Sequence, residues 1–461
     1  MTNNISDLVL LVGTNPLPNY VVGKYFLRLN SDLKSLWLVY SEKRREIGQA
    51  GTGEFAENIK AVLKSEFPGR ELNFEMVALS NVSSASQINE DLQKKMQRAA
   101  ANSNINIHLN YTGGTKSMAV YVYQYIKNNF KSNSSFSYLD GRRYKLLWDN
   151  SQSSSGDLRK EISLPLDSLI KLHGYEKKED KPQSHNYSDY YPALEKFEDL
   201  INSDGLVGYL SWKEKNLRAN YFTNGKFIKT KQGFLKNLKT NYNYGENQFK
   251  PEVAKRRFKE ETNEAIYELL LTLPKDKSIL DDEGNLWIPD DTIKTNKFLE
   301  RIKFTIRDFL DGKWLEQYVF TVINRELQKD NILKKDLSQG KISIDSNWEM
   351  KKKEGQAKEF ELDLIVLNGY QICCISCTTS KNEGPCKLKG FEVIHRARQI
   401  GGDEALSVLV TCLDDKNKDK FSTDLEQMTG TTTQNLLVLS QSELKADILW
   451  KKIRDYIWGE V

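Results

Sequence analysis

The chain has 461 residues, about three times a domain of roughly 150 residues, so two or three domains are expected. Lys and Arg total 67 against 63 Asp and Glu, a net charge of +4, which excludes a uniformly positive coat but not a local basic face. The 39% hydrophobic content excludes wholesale disorder. No apolar run nears the roughly 18 residues of a membrane span, Met1 to Asp7 lacks a secretory-signal pattern, and five cysteines are too few for a disulfide scaffold. No membrane partner and a cytoplasmic location are expected.

The first segment alternates strand-like and helix-like pieces. Leu8–Gly13 is a continuous apolar run ending in Gly, which suits a strand buried on both faces. A helix follows from about Asn19. Strands are then expected at Ser35–Tyr40, Phe74–Leu79 and Ile105–Asn110. Helices are expected at Gly53–Phe67, Ile88–Ala101 and Lys116–Asn128. Phe136–Leu139 and Tyr144–Trp148 read as a closing hairpin. This alternation predicts a parallel sheet with helices on both faces. Asn150–Gly156 and Lys177–Ser188 read as linkers, placing a boundary near 150–190.

Residues 213–259 hold thirteen Lys or Arg against three Asp or Glu, interleaved with Tyr221, Phe222, Phe227, Phe234, Tyr242, Tyr244, Phe249 and Phe258. Two readings stand equally: rings stacking on nucleic-acid bases along a basic stripe, or a solvated basic surface over a small aromatic core. A turn at Asn224-Gly225 fits a helical or winged-helix-like module. Beyond it a long helix, about Thr292–Leu327, is expected to break near Asp311-Gly312. Ile342–Trp348 is strand-like, and Phe360–Leu367 and Tyr370–Cys377 flank Asn368-Gly369, a strong hairpin signal. A helix at Gly390–Ile400, strands at Leu406–Cys412 and Asn435–Leu439, and a helix at Leu444–Ile457 complete the chain. The expected domains are 1–150, a ligand-binding sheet; 151–300, linker and basic module; and 301–461, a second α/β domain.

Two loops fall at the carboxyl ends of the first strands, where doubly wound sheets bind ligands. One is Gly13-Thr14-Asn15. The other is Thr112-Gly113-Gly114-Thr115-Lys116-Ser117, which opens a helix. Paired glycines let backbone approach a ligand, and a helix N-terminus favours phosphate. The spacing is not that of a Walker A loop, and a plain helix cap is the competing reading. In the last segment Glu361 and Asp363, two apart on a strand, share a face. Glu316 and Glu392 lie on helices. Clustered carboxylates bind a hard divalent cation, which can activate water; solvated surface charge is the competing reading, weakest for Asp363 within an apolar strand. Cys374, Cys377, Cys386 and His395 offer a zinc set only on paper, because residues three apart on a strand point to opposite faces.

These motifs resemble a known pair. LVLLVGTNPLPNYVV and LNYTGGTKSMAVYVY are similar to a CARF domain, the CRISPR-associated Rossmann fold. GKWLEQYV (312–319), ELDLIVLNGYQICCISCTTS (361–380) and FEVIHRARQIGGDEA (391–405) resemble a PD-(D/E)xK nuclease domain. The resemblance implies an α/β protein with an N-terminal Rossmann-like parallel sheet, a basic middle insertion and a C-terminal restriction-endonuclease-like domain. It implies a type III CRISPR effector in which a cyclic oligoadenylate, cyclic tetra-adenylate before cyclic hexa-adenylate, binds a homodimer and activates metal-dependent cleavage of DNA or RNA. Mg²⁺ or Mn²⁺ would sit on Glu316, Asp363 and Glu392, with Glu361 beside them. The family's acid-x-Lys strand reads Ser376-Cys377-Thr378 here, so the lysine would come from Lys381, Lys387 or Lys389. Two other readings are an inactive nuclease fold acting as a nucleic-acid-binding regulator, and an N-terminal pocket that degrades its own activator.

Overall fold

The computed structural model describes residues 5–149, 154–178, 187–242, 249–352 and 360–459. Parts of both expected linkers and Tyr244 lie outside these residues. The chain divides into two units: Met1–Glu179 with Asn331–Cys374 and Ile394–Ser407, and Asp180–Asp330 with Ile375–Val393 and Val408–Val461.

The first unit carries the predicted sheet. Strands β1 (Asp7–Val12), β2 (Ser35–Ser41), β3 (Asn73–Leu79), β4 (Ile107–Asn110), β5 (Ser134–Asp140) and β6 (Lys145–Trp148) lie in the order β3-β2-β1-β4-β5-β6. All neighbours are parallel except β5 and β6, the predicted hairpin. Helices α1 (Leu17–Leu29), α2 (Gly53–Glu66), α3 (Ala85–Ala100) and α4 (Lys116–Phe130) connect β1 to β5. Every residue of β1 is buried, as a strand covered on both faces requires. Val9, Leu11, Val39, Leu109, Val122 and Ile126 are fully buried in one core. Each such side chain contributes about 1.5–3 kcal/mol through burial. The chain order reverses between β1 and β4, so a crevice opens at the carboxyl ends of those two strands.

The same unit holds antiparallel strands at Tyr175–Lys177, Ile342–Lys352 and Phe360–Asn368. The next strand, Gln371–Thr378, starts in this unit and ends in the other. The predicted hairpin exists, but its two loop residues are Gly369 and Tyr370 rather than Asn368 and Gly369. Asn368 is held in the ladder opposite Ile342. Gly369 takes a φ of 64° and packs so closely that a Cβ would stand 2.2 Å from the Arg159 carbonyl. Asn347, between the pairs Ser346↔Leu364 and Trp348↔Leu362, takes a left-handed φ of 55° opposite Asp363.

The second unit is mainly helical around an aromatic core. Phe197 stacks on Trp314 at 4.1 Å, and Tyr209 meets Trp314 edge-on at 5.8 Å. The rings of the basic segment belong largely to this interior: Tyr221, Phe234, Tyr242 and Phe258 are all at most 2% exposed. These four rings follow the core reading, because a buried ring cannot stack on a base; Phe222, Phe227 and Phe249 are half-buried. Asn224 and Gly225 form the expected turn, both with positive φ, between strands of two residues each. The helix expected to break at Asp311-Gly312 does not break. It runs from Thr295 to Lys329, and residues Lys303–Lys313 widen to π-helical winding.

Glu443 ties down the C-terminal helix Ala446–Trp458. Burial alone would raise its carboxyl, but hydrogen bonds from Lys418, Ser440 and Lys452 bring it to about 2. Lys418 Nζ lies 2.6 Å away and Lys452 Nζ 3.1 Å. A carboxylate lowered by folding stabilises the fold above its unfolded value near 4.5 and loses that contribution as pH falls towards 2. At about 1.4 kcal/mol per unit the upper limit is about 3 kcal/mol, which partial solvation reduces to about 1–2. Glu443→Gln is therefore expected to cost that amount at pH 7 by denaturant titration, with the difference from the parent shrinking below pH 4.5. An equal deficit at pH 7 and pH 3 would count against this role.

Candidate functional site

The crevice at β1 and β4 is built by close backbone contact. β1 runs out at Val12, leaving carbonyls for side chains: Asn19 Nδ2 donates to Leu11 O at 2.9 Å and Thr52 Oγ1 to Val12 O at 2.9 Å. Gly113 lies against that strand end, and a Cβ there would be 2.1 Å from Leu11 O. A Cβ on Gly13 would stand 3.1 Å from the Gly114 amide nitrogen, and Gly114 has a φ of 75°. The two predicted loops therefore touch. Their contact divides the sheet rim into two clefts, about 270 and 460 Å³ in volume.

Gly13, Thr14 and Gly114 line both clefts. Asn15, Thr112 and Gly113 line the smaller one, and Thr115 the larger. Lys116 and Ser117 line neither; Lys116 is exposed in the first turn of α4. Several hydroxyls expected to meet a ligand are already used. Thr115 Oγ1 caps α4 by accepting from Met118 N at 3.2 Å, Ser117 Oγ donates to Val82 O at 2.5 Å, and Thr112 Oγ1 accepts from Leu139 N at 2.7 Å. What remains for a ligand is backbone at the glycines and the N-terminus of α4, a setting that favours an anion.

The far wall of the smaller cleft comes from residues the sequence analysis did not connect with it: Tyr138, Tyr144, Tyr370, Gln371, Asp403 and Glu404. Tyr144 sits at a left-handed φ of 55° in the β5–β6 turn, with the Arg159 guanidinium 3.8 Å from its ring centroid. Gln371 donates to the Tyr144 hydroxyl and to Glu404 O, and accepts from Arg159 Nη1 at 2.9 Å. Glu404 lies between two glycines: a Cβ on Gly141 would stand 2.0 Å from its Oε1, and one on Gly402 3.5 Å from its Oε2 and 2.1 Å from Asn15 Nδ2. Burial holds the Glu404 carboxyl above its usual range, reinforced by Asp403 and Asp140. No local sequence signal marks Tyr370, Gln371, Asp403 and Glu404, because they lie over 200 residues from the loops.

The buried histidines do not serve this rim. His108 Nδ1 and Nε2 each lie 2.7 Å from a serine hydroxyl, on Ser135 and Ser137, and burial pushes the ring down to about 3. It is neutral at pH 7.

The residues expected to cut nucleic acid have different settings. Asp363 is only 7% exposed, whereas Glu361 is exposed and faces Glu349 across the ladder. Glu316 is in the first turn of the helix Trp314–Lys329, 3.6 Å from Lys313 Nζ. Glu392 is exposed on the helix Glu383–Gly401. On that helix Lys387 pairs with Asp424 at 2.9 Å, and Lys389 is half-buried. Among the described residues no group of three His, Cys, Asp or Glu side chains is placed to hold a metal ion. That includes Cys374, Cys377, Cys386 and His395. Burial pushes the Cys374 thiol up to about 12 and the Cys386 thiol up to about 11, so both stay protonated.

A lysine that the sequence hid is the most enclosed charge in the second unit. Lys213, 2% exposed, donates to the Asp311 carbonyl at 3.0 Å and to Thr379 Oγ1 at 2.9 Å. Thr379 Oγ1 itself donates to the same carbonyl at 2.8 Å. Burial lowers the Lys213 pKa, and Asp311 opposes that shift. The clamp joins the π-helical stretch just before Glu316 to the end of the Gln371–Thr378 strand.

Residues 8–165 match the family described as the Card1 CARF domain. The fold is thus mixed α/β, with a CARF-like, mainly parallel N-terminal sheet and a further α/β region. No curated protein matches the chain. Among solved structures, protein VC1899 from Vibrio cholerae superposes with a TM-score of 0.62 at 13% identity, over 98% of each chain. Can2 from Sulfobacillus thermosulfidooxidans, solved in complex with cyclic tetra-adenylate, gives 0.57 at 16% identity over 97% of this chain and 99% of that one. At these identities the likeness is one of fold. Among the described residues no helix is long and apolar enough to cross a membrane.

Proposed function

We propose that this chain is a messenger-gated effector of type III CRISPR defence. A cyclic oligoadenylate, cyclic tetra-adenylate in the first instance and cyclic hexa-adenylate in the second, binds the rim of the N-terminal sheet. Binding switches on endonucleolytic cleavage of DNA or RNA by the C-terminal region, with Mg²⁺ or Mn²⁺ as cofactor. The observation that carries the reading is the Gly13–Gly114 contact at the β1–β4 crevice, within the segment matching a CARF domain. The ligand held by the Can2 structure supports the choice of ring. A two-fold ring suits a two-fold homodimer, whose interface is self-complementary.

The cutting residues in this reading are Glu316, Asp363, Glu361 and Glu392. Asp363 is the most enclosed of the four, at 7% exposed in the otherwise apolar run Leu362–Leu367. Lys387 already pairs with Asp424. Lys213 instead acts as a positioning residue that holds the turn before Glu316. Among the described residues no three ligands are grouped for a metal. That same observation, with Ser376 and Thr378 at the acid and lysine positions, favours a second reading: a regulator that binds messenger and nucleic acid without cutting.

One experiment tests both. The full chain is incubated with Mg²⁺ or Mn²⁺, either cyclic ring, and labelled single- and double-stranded DNA and RNA, while calorimetry follows ring binding. Ring-dependent cleavage is expected. Binding without cleavage leaves the regulator; no binding of either ring overturns the proposal. Sedimentation as a monomer with and without ring would remove the dimer.

A further inference from the structure

We propose that the smaller rim cleft is a nucleobase pocket in which Glu404 and Tyr370 read the amino edge of an adenine. The inference rests on the messenger reading and adds the residues that choose the base.

The cleft is chemically polarised. One side is the glycine-rich backbone of the two loops at Gly13, Gly113 and Gly114, which lets a phosphate approach closely. The opposite wall is acidic and aromatic. The Glu404 carboxylate makes no salt bridge among the described residues; its charged neighbours include Asp403, Asp140 and, in the opposite sense, Arg142. A partly buried carboxylate without an ion pair is satisfied by a donor brought in by a ligand. The Tyr370 hydroxyl supplies an independent observation. Tyr370 is 6% exposed and lines the cleft, yet its hydroxyl has no hydrogen-bond partner among the described residues. A buried hydroxyl without a partner costs about 1–3 kcal/mol, which a ligand acceptor would recover. An acceptor and a donor on one wall of one cleft match in kind the exocyclic amine and the adjacent ring nitrogen of adenine. Gln371 cannot do this work, because its amide is already engaged with Arg159, Tyr144 and Glu404 O. The rings of Tyr138 and Tyr144 offer stacking faces. A cleft of about 270 Å³ lies just under the range for drug-sized ligands, so it takes one base rather than a whole ring.

The test compares cyclic tetra-adenylate with cyclic tetra-inosinate, which carries an oxygen where adenine has its amine. Calorimetry on the full chain is expected to show at least about tenfold weaker binding of the inosine ring. Glu404→Ala should weaken the adenine ring about tenfold and shrink the difference between rings to about threefold or less. Tyr370→Phe should weaken the adenine ring about five- to twentyfold while leaving the melting temperature unchanged or raised, since the lost hydroxyl bonds nothing in the empty protein. A purely structural tyrosine predicts the reverse: lower melting temperature, same affinity. Equal binding of the two rings by the parent chain, or parental affinity in both variants, overturns the base pocket alone. No binding of cyclic tetra-adenylate by the parent chain overturns the messenger reading and the pocket together.

Discussion

Gly113→Ala is expected to lower both stability and messenger affinity. The added Cβ would lie 2.1 Å from the Leu11 carbonyl oxygen and 3.1 Å from Asn19 Oδ1. Neither neighbour yields easily: Leu11 is in the fully buried β1, and Asn19 is fully buried and bonded to the same carbonyl. The loop must therefore lift off the strand. Overpacking of this kind costs about 1–3 kcal/mol, a fall of about 2–12 °C in melting temperature for a unit of this size. Lifting the loop also parts Gly114 from Gly13 and moves the backbone that faces the ligand. A loss of about 1.4 kcal/mol in binding is tenfold in affinity, and at least that is expected for cyclic tetra-adenylate. Gly69→Ala is the matched control, because its Cβ meets nothing within 4 Å, and should change neither quantity. Parental melting temperature and affinity in Gly113→Ala would show that loop contact is not what shapes the rim.

The sheet that carries this loop was legible because local pattern and tertiary role coincide in it. A strand buried on both faces must be apolar throughout, and Leu8 to Val12 is. Strand, helix and glycine then recur in the order that a parallel sheet needs. Ser84 and Thr115 cap α3 and α4 through hydrogen bonds of their own sequence neighbourhood. The Asn224-Gly225 turn was legible for the same reason. The hairpin at 368–370 was legible to within one residue, and the shift has a non-local cause: Asn368 is held by its pairing with Ile342 and Gly369 is pressed on Arg159.

What could not be read depends on which distant groups share a space. Nothing local separates the interior rings of Tyr221 and Phe234 from ones that stack on bases; only their 1% and 0% exposure does so. Three of the four predicted rim hydroxyls, on Thr112, Thr115 and Ser117, are engaged in caps and loop ties. The acidic and aromatic wall of the smaller cleft joins residues 138–144 to 370–404, and only folding shows that Gly141 and Gly402 are small because Glu404 and Asn15 fill the space beside them. A charged residue between helix turns reads as solvated by default, which is why Lys213 stayed hidden in a run of exposed lysines.

Lys213→Met therefore separates structure from cleavage in the second unit. Methionine keeps the length and volume of the stem but loses the ammonium that holds the Asp311 carbonyl and Thr379 Oγ1. Thr379 Oγ1 still donates to that carbonyl, and Arg218 still pairs with the Asp311 carboxylate at 2.8 and 3.0 Å. Removing one partner of a buried ion pair is destabilising, and Lys213 Nζ lies 3.8 Å from Asp311 Oδ1; the fold is expected to survive with a lowered melting temperature because Arg218 still neutralises Asp311. The π-helical stretch, however, is wound more weakly than an α-helix and now hangs on one bond fewer. Glu316 follows Asp311 by five residues, so a shift there reaches its carboxylate directly. A displacement of about 1 Å at reacting groups costs about a hundredfold in rate. The expected outcome is a fall of that order in ring-dependent cleavage by the full chain, with the affinity for cyclic tetra-adenylate unchanged, since the rim cleft uses none of these residues. Lys213→Arg keeps a cation at the position, on a stem one methylene shorter, and should recover part of the rate. Cleavage by Lys213→Met at the parental rate, in a protein still folded at the assay temperature, would remove the clamp from the mechanism and leave Lys213 as packing.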